Sequence, residues 1–183
     1  MTSDAGRPDG ERVLFTARRF RIERVAQPCA DGSVRDREVV VHPGSVVVVP
    51  MVSADEVCLV EVVRVAVGET LVELPAGTLD REEPPLATAV RELAEETGYR
   101  AGRIEPAGVF WMSPGILRER MHLFVAHDLV AGEQALEPGE LIRPRVVAWP
   151  EAVAMCLDGR ISDAKSIAGI LLHDARRRAS AGL

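Results

Sequence analysis

The sequence predicts a mixed α/β (α+β) domain, with a mixed central sheet flanked by helices and antiparallel strands at its N-terminal side. Three observations predict it. Short Val-rich apolar runs at residues 45–51 and 57–67 have the length and β-branched content of buried strands. A stretch at 85–97 changes to a helical period, with Leu86, Val90 and Leu93 at i, i+4 and i+7. Strand-like runs then return and two helical patterns close the chain, an order that suits elements packed in layers.

Taken in order, residues 1–11 are rich in Gly, Asp, Ser and Pro and read as a frayed tail. Residues 13–25 and 37–42 read as strands on either side of the turn-forming Ala30-Asp31-Gly32-Ser33, and Pro43-Gly44 punctuates the chain before the first buried run. A further short strand is expected at 71–74. Pro84 and Pro85 suit the approach and first turn of the helix, where a missing N–H costs nothing, and Gly98 suits a left-handed stop just past its end. Strands are expected at 107–111, 122–129 and 145–149, and helices at 150–157 and 163–178. Arg176-Arg177-Arg178 falls where basic side chains complement the dipole of a helix end.

Composition narrows the function. At 183 residues and 47% hydrophobic content the chain suits one domain with its own core. A formal net charge of -6 argues against a nucleic-acid partner, since such surfaces carry a basic patch or stripe. Of the 22 basic residues only Lys165 is a lysine, so recognition of anions falls to arginine. Cys29, Cys58 and Cys156 lie far apart with no metal-binding or disulfide-framework spacing. No apolar run approaches the length of a membrane span, and no apolar leader segment is visible at the N-terminus, so the expected location is cytoplasmic.

The chemistry concentrates on the first helix. Glu92, Glu95 and Glu96 fall within about a 100° arc at 3.6 residues per turn, opposite the Leu86, Val90, Leu93 stripe. Such a face is commonly no more than solvated charge, balanced here by Arg91. It is also the oxygen-donor set that a hard divalent cation takes. The longer spacing favours the second reading: Gly77, five residues, Glu83, seven residues, then Arg91-Glu92-Leu93, Glu95-Glu96 and Gly98. A chance match to these positions is on the order of one in 10⁵ for such a chain.

This pattern resembles the Nudix box in every fixed position. The resemblance implies the Nudix fold, an α/β/α sandwich around a mixed sheet, and a divalent cation, Mg²⁺ with Mn²⁺ as substitute, held at a diphosphate. It implies Glu92, Glu95, Glu96 and the carbonyl of Ala76 as metal ligands, Glu83 in an outer shell, and Arg91 orienting the glutamates. Beyond the box, Glu73-Leu74-Pro75-Ala76-Gly77 and the proline of Ser113-Pro114-Gly115, sixteen residues after Gly98, resemble the ADP-ribose pyrophosphatase subfamily. The stretch from Asp158 to Lys165 resembles the start of its C-terminal helix. This likeness implies substrate contacts from Arg37, Glu38, Arg64, Pro114 and Glu119, with Arg37 and Glu38 reaching a partner's site, and Glu140 as general base. It further implies a homodimer that exchanges N-terminal strands at 12–44 beside a catalytic unit at 45–183. The implied reaction is hydrolysis of ADP-ribose to AMP and ribose 5-phosphate.

The sequence departs from that subfamily at Val62-Val63, where glutamine and an aromatic residue commonly precede the arginine. Aromatic content is 4%, leaving Phe15, Phe20 and Trp111 as candidates to stack on a base, each also suited to a core. Another nucleotide sugar, such as GDP-mannose or ADP-glucose, is therefore the alternative substrate. A module that senses a nucleotide without cutting it is the alternative of a different class, against which the intact Glu92, Glu95 and Glu96 argue.

Overall fold

The computed structural model describes residues 12–79, 82–180 and 182. The tail expected at 1–11 lies outside the described residues. The chain order is β1 (Arg12–Thr16), β2 (Arg21–Pro28), β3 (Val34–Val41), β4 (Ser45–Pro50), β5 (Glu56–Arg64), β6 (Glu69–Glu73), β7 (Ala76–Thr78), α1 (Pro85–Thr97), β8 (Tyr99–Trp111), β9 (Leu117–Arg118), β10 (Arg120–Ala131), β11 (Ile142–Ala148), α2 (Trp149–Leu157) and α3 (Ala164–Ser180).

These strands form three sheets, in the orders β1-β2-β3-β9, β7-β4-β10-β8 and β11-β5-β6. The second is mixed, because β10 runs parallel to β4 and antiparallel to β8, while β7 is antiparallel to β4. Alternation along β4 explains the layering. Val47 and Val49 point into one core with Leu59, Leu74, Leu123, Met155 and Ile170, whereas Val46 and Val48 point into another with Ala89, Leu93, Phe124 and Ala126. All four valines are fully buried, each worth about 1.5–3 kcal/mol relative to exposure. Helix α1 covers one face and α2 with α3 the other, so the α/β/α sandwich expected from the Nudix resemblance is present. Gly169 lets α3 approach the sheet closely: a Cβ there would stand 2.8 Å from Leu74 Cδ1.

Helix α1 begins at Pro85 after Pro84 and ends at Gly98, whose φ of 77° and N–H to Ala94 O close it in the left-handed conformation. Its buried face differs from the expected stripe. Leu86 and Val90 are exposed, and the inward residues are Thr88, Ala89, Leu93, Glu96 and Thr97. The helix is rotated so that small Ala89 sits against the sheet and Glu96 turns inward. The acidic face is therefore wedged beside β7 and not left in solvent.

The N-terminal side also differs in detail. Residues 13–25, expected as one strand, form the hairpin of β1 and β2, turning at 17–20, where the Ala17 N–H donates to Phe20 O at 2.8 Å. No Gly, Pro or Asn marks that turn. Strand β9, only two residues long, joins this sheet parallel to β3.

Candidate active site

The site is built where β7 passes under α1. Strand β7 pairs with β4, placing Ala76 opposite Val47 and Gly77 opposite Val46. The Ala76 N–H donates to Glu96 Oε2 at 2.9 Å. A Cβ at 77 would overlap the carboxyl of Glu92, so any other residue obliges that side chain to turn away from β7.

Arg91 ties the acidic residues together. Its Nη1 donates to Glu92 Oε1 at 2.8 Å and to Glu95 Oε2 at 2.7 Å, while Nε and Nη2 reach Glu83 Oε1 at 3.1 and 3.0 Å. Glu83 also accepts from Thr88 Oγ1 at 3.1 Å. Burial disfavours the guanidinium charge, but its bonds to Glu83 and Glu95 and the charge of Glu92 overcome this and push its pKa above the ordinary value.

The two inner glutamates are short of compensating charge. Glu96 is 5% exposed, and its pKa is pushed up to about 8 by burial first, then by Glu92 and Glu140, against the Ala76 N–H and Arg64. Burial likewise lifts Glu92 to about 7, opposed by Arg91 and reinforced by Glu95 and Glu140. Glu92, Glu95 and Glu96 with the Ala76 carbonyl are hard oxygen donors around a glycine-lined hollow, the chemistry that suits Mg²⁺ or Mn²⁺. Among the described residues no three His, Cys, Asp or Glu side chains already converge on one point, since Arg91 draws Glu83, Glu92 and Glu95 along its own length.

A cavity of about 610 Å³ opens beside this cluster, lined by Glu92, Glu96, Arg91 and Arg64, by Glu137 and Glu140, by Val62 and Val63, and by Arg18 and Arg19. Glu140 Oε2 accepts the Glu137 N–H at 2.8 Å, which folds the 137–140 loop onto the cavity wall. Arg64 donates to Glu73 through Nε at 2.7 Å and Nη2 at 2.6 Å. Glu73, 1% exposed, also accepts from Lys165, which pairs with Asp163 at 2.9 Å. Burial would raise the Glu73 pKa, but Arg64 and Lys165 hold it below the ordinary value.

A smaller cavity of about 310 Å³ adjoins the first across Ala76, Gly77 and Thr78, and takes in Arg64, Glu119 and Lys165. Here Glu119 Oε1 accepts from Ser45 Oγ at 2.7 Å and lies 3.3 Å from His42 Nδ1.

The expected site residues thus divide. Ala76, Glu92, Glu96, Arg91, Arg64 and Glu140 border one cavity, Glu119 borders the adjoining one, and Glu83 and Glu95 meet them through Arg91. Pro114 lines neither cavity. It sits in the turn in which the Leu117 N–H donates to Ser113 O at 2.8 Å, leading into β9 and Glu119. Arg37 and Glu38 are exposed on β3 away from their own chain's cavity, with Arg37 Nε donating to Gln27 Oε1 at 2.6 Å. Sequence reasoning missed Glu73 and Lys165 as an interacting pair, and Arg18 and Arg19 altogether. The single lysine of an arginine-rich chain was the one signal for Lys165.

Comparison with known proteins gives the family and the fold. The family model described as the NUDIX domain matches residues 41–169. The chain is 33% identical over 159 residues to a methanol dehydrogenase activator of Bacillus methanolicus, covering 86% of each chain. It is 35% identical over 147 residues to an ADP-ribose pyrophosphatase of Bacillus subtilis strain 168, covering 79% of this chain and 78% of that one. Among solved structures, one titled as an ADP compounds hydrolase superposes with a TM-score of 0.79 at 20% identity, covering 96% of this chain and 98% of the other, a likeness of fold.

Proposed function

The chain belongs to the Nudix family, and on that premise we propose that it hydrolyses the diphosphate linkage of ADP-ribose to AMP and ribose 5-phosphate in the presence of Mg²⁺. The observation that carries the proposal is the single cavity in which Glu92, Glu96 and Glu140 face Arg64 beside the Ala76 backbone. The relative named as an ADP-ribose pyrophosphatase supports the choice of substrate.

Glu92, Glu95, Glu96 and the Ala76 carbonyl would hold the divalent cation, with Mn²⁺ as a substitute. When bound, that cation supplies charge neutralisation at the diphosphate and a water of lowered pKa. The chain's own residues do the rest. Arg91, anchored on Glu83, keeps Glu92 and Glu95 turned to one side of the helix. Gly77 lets the backbone reach the phosphates. Arg64, preset by Glu73, binds a phosphate or ribose oxygen of the substrate. Glu140, on the cavity wall, would take the proton of the attacking water. Glu119, into which the Pro114 turn leads, shapes the pocket for the terminal ribose.

The same proposal includes a homodimer, in which strands at 12–44 are exchanged beside catalytic units at 45–183. Val13, Leu14, Phe15 and Phe20 are exposed on the N-terminal sheet, an apolar surface that a second copy would cover. Arg37 and Glu38 would then reach the partner's cavity. A cytoplasmic setting fits the three thiols, which form no disulfide.

The test is release of mononucleotide from a panel of ADP-ribose, ADP-glucose, GDP-mannose and diadenosine polyphosphates with Mg²⁺. Selective AMP release from ADP-ribose is expected. Preference for GDP-mannose would move the substrate within the family, and nucleotide binding without turnover would leave a sensor in place of an enzyme.

A further inference from the structure

The cations lining the larger cavity are not equivalent. Arg91 is committed to Glu83, Glu92 and Glu95, and Arg64 is clasped by both oxygens of Glu73. Arg18 and Arg19 border the same cavity, and among the described residues neither has a carboxylate partner. They occupy the two central positions of the β1–β2 turn, closed by the Ala17 N–H to Phe20 O at 2.8 Å, and both are exposed at its tip. On its other side the turn borders a second hollow with Arg21 and Arg118, which are already paired with buried Glu23.

Four carboxylates, Glu92, Glu96, Glu137 and Glu140, line the cavity that an anionic substrate must enter. A cation held at the helix would offset part of this charge, but only near its own ligands, because attraction falls off with distance and solvent screening. The uncommitted positive charge is the arginine pair, in a chain whose formal net charge is -6. A guanidinium presents a planar fork matched to two phosphate oxygens, and a short hairpin turn holds two such forks on one support.

We propose that the Arg18–Arg19 turn is a phosphate-binding element of the active site, grasping the phosphates of a nucleoside diphosphate derivative from the N-terminal sheet. This rests on the Nudix hydrolase reading above. It assigns recognition to the chain's own β1–β2 turn, in addition to the residues of β3 expected to act on a partner.

The experiment compares wild type with the double variants Arg18→Ala/Arg19→Ala and Arg18→Lys/Arg19→Lys, using ADP-ribose and Mg²⁺. Both positions are exposed, so folding is preserved. The alanine pair should raise KM by about tenfold, the loss of roughly 1.4 kcal/mol expected for two exposed charge contacts, with kcat within about threefold. The KM of the alanine pair should also depend less steeply on salt, a readout that a structural role would not move, and the lysine pair should recover part of the loss. An unchanged KM and salt dependence in the alanine pair would overturn the inference while leaving hydrolysis itself in place. Should wild type hydrolyse no sugar nucleotide, the function fails separately, and calorimetric binding of inorganic diphosphate with Mg²⁺ decides the inference. Tenfold weaker binding by the alanine pair supports it, whereas equal binding, or none by wild type, overturns it.

Discussion

At position 77 one missing methyl group decides where the Glu92 carboxyl can lie. The Gly77 backbone lies against the Glu92 carboxyl, and any Cβ would overlap it. Gly77→Ala therefore displaces the Glu92 carboxyl, on the order of 1 Å. A misplacement of that size costs on the order of 10²-fold in rate. We predict that kcat falls about 100-fold while the thermal midpoint changes little, measured by steady-state kinetics and calorimetry on the same preparation; near-normal kcat would show that the approach is not needed for activity. Such residues were legible in the sequence because the box is a matter of spacing: Gly77, Glu83 and the glutamates of α1 fall at set intervals within 22 residues of chain. The Arg64–Glu73–Lys165 contact was not, because it joins residues 92 apart at its far end and leaves no periodic trace.

Among elements, α1 was legible to its last residue, since Pro84, Pro85 and Gly98 carry backbone restrictions that stop a helix at each end. Its rotation was not, because Leu86 and Val90 announce an apolar stripe that the fold leaves exposed in favour of Ala89. Strands β7 and β9, of three and two residues, are too short for any period to register. The packing of α3 on α2 carries a pH signature. His173 of α3 meets the Trp149 ring edge-on, with centroids 5.1 Å apart. Its pKa is pushed down to about 4 by burial, then by Arg177, His127 and Arg176, with Asp174 opposing. In the unfolded chain the imidazole returns to its ordinary 6.5. Between these values the unfolded chain binds more protons, so stability present above pH 6.5 is lost as pH falls towards 4. The thermal midpoint of wild type should fall across this window, and that of His173→Gln should fall less; parallel curves for the two would remove His173 as the cause.

For the whole molecule, the division of labour follows from its layers. The central sheet buries one set of β4 valines under α1 and the other under α2 and α3, which fixes α1 over β7 and so the glutamates over the backbone. The N-terminal sheet is attached to this body through β3 and β9 and contributes the Arg18–Arg19 turn to the cavity. Its exposed Val13, Leu14, Phe15 and Phe20 lead to the prediction of a dimeric mass by light scattering at micromolar concentration, and a monomeric mass there would refute the exchanged sheet. The most direct measurement of all is AMP release from ADP-ribose by wild type and Glu96→Gln side by side, with Mg²⁺ and again after chelation. If the buried carboxylates of α1 form the hydrolytic centre, wild type releases AMP only with the cation, and the variant loses about two orders of magnitude or more in kcat while remaining folded. AMP release that survives chelation, or that proceeds undiminished in Glu96→Gln, would contradict it.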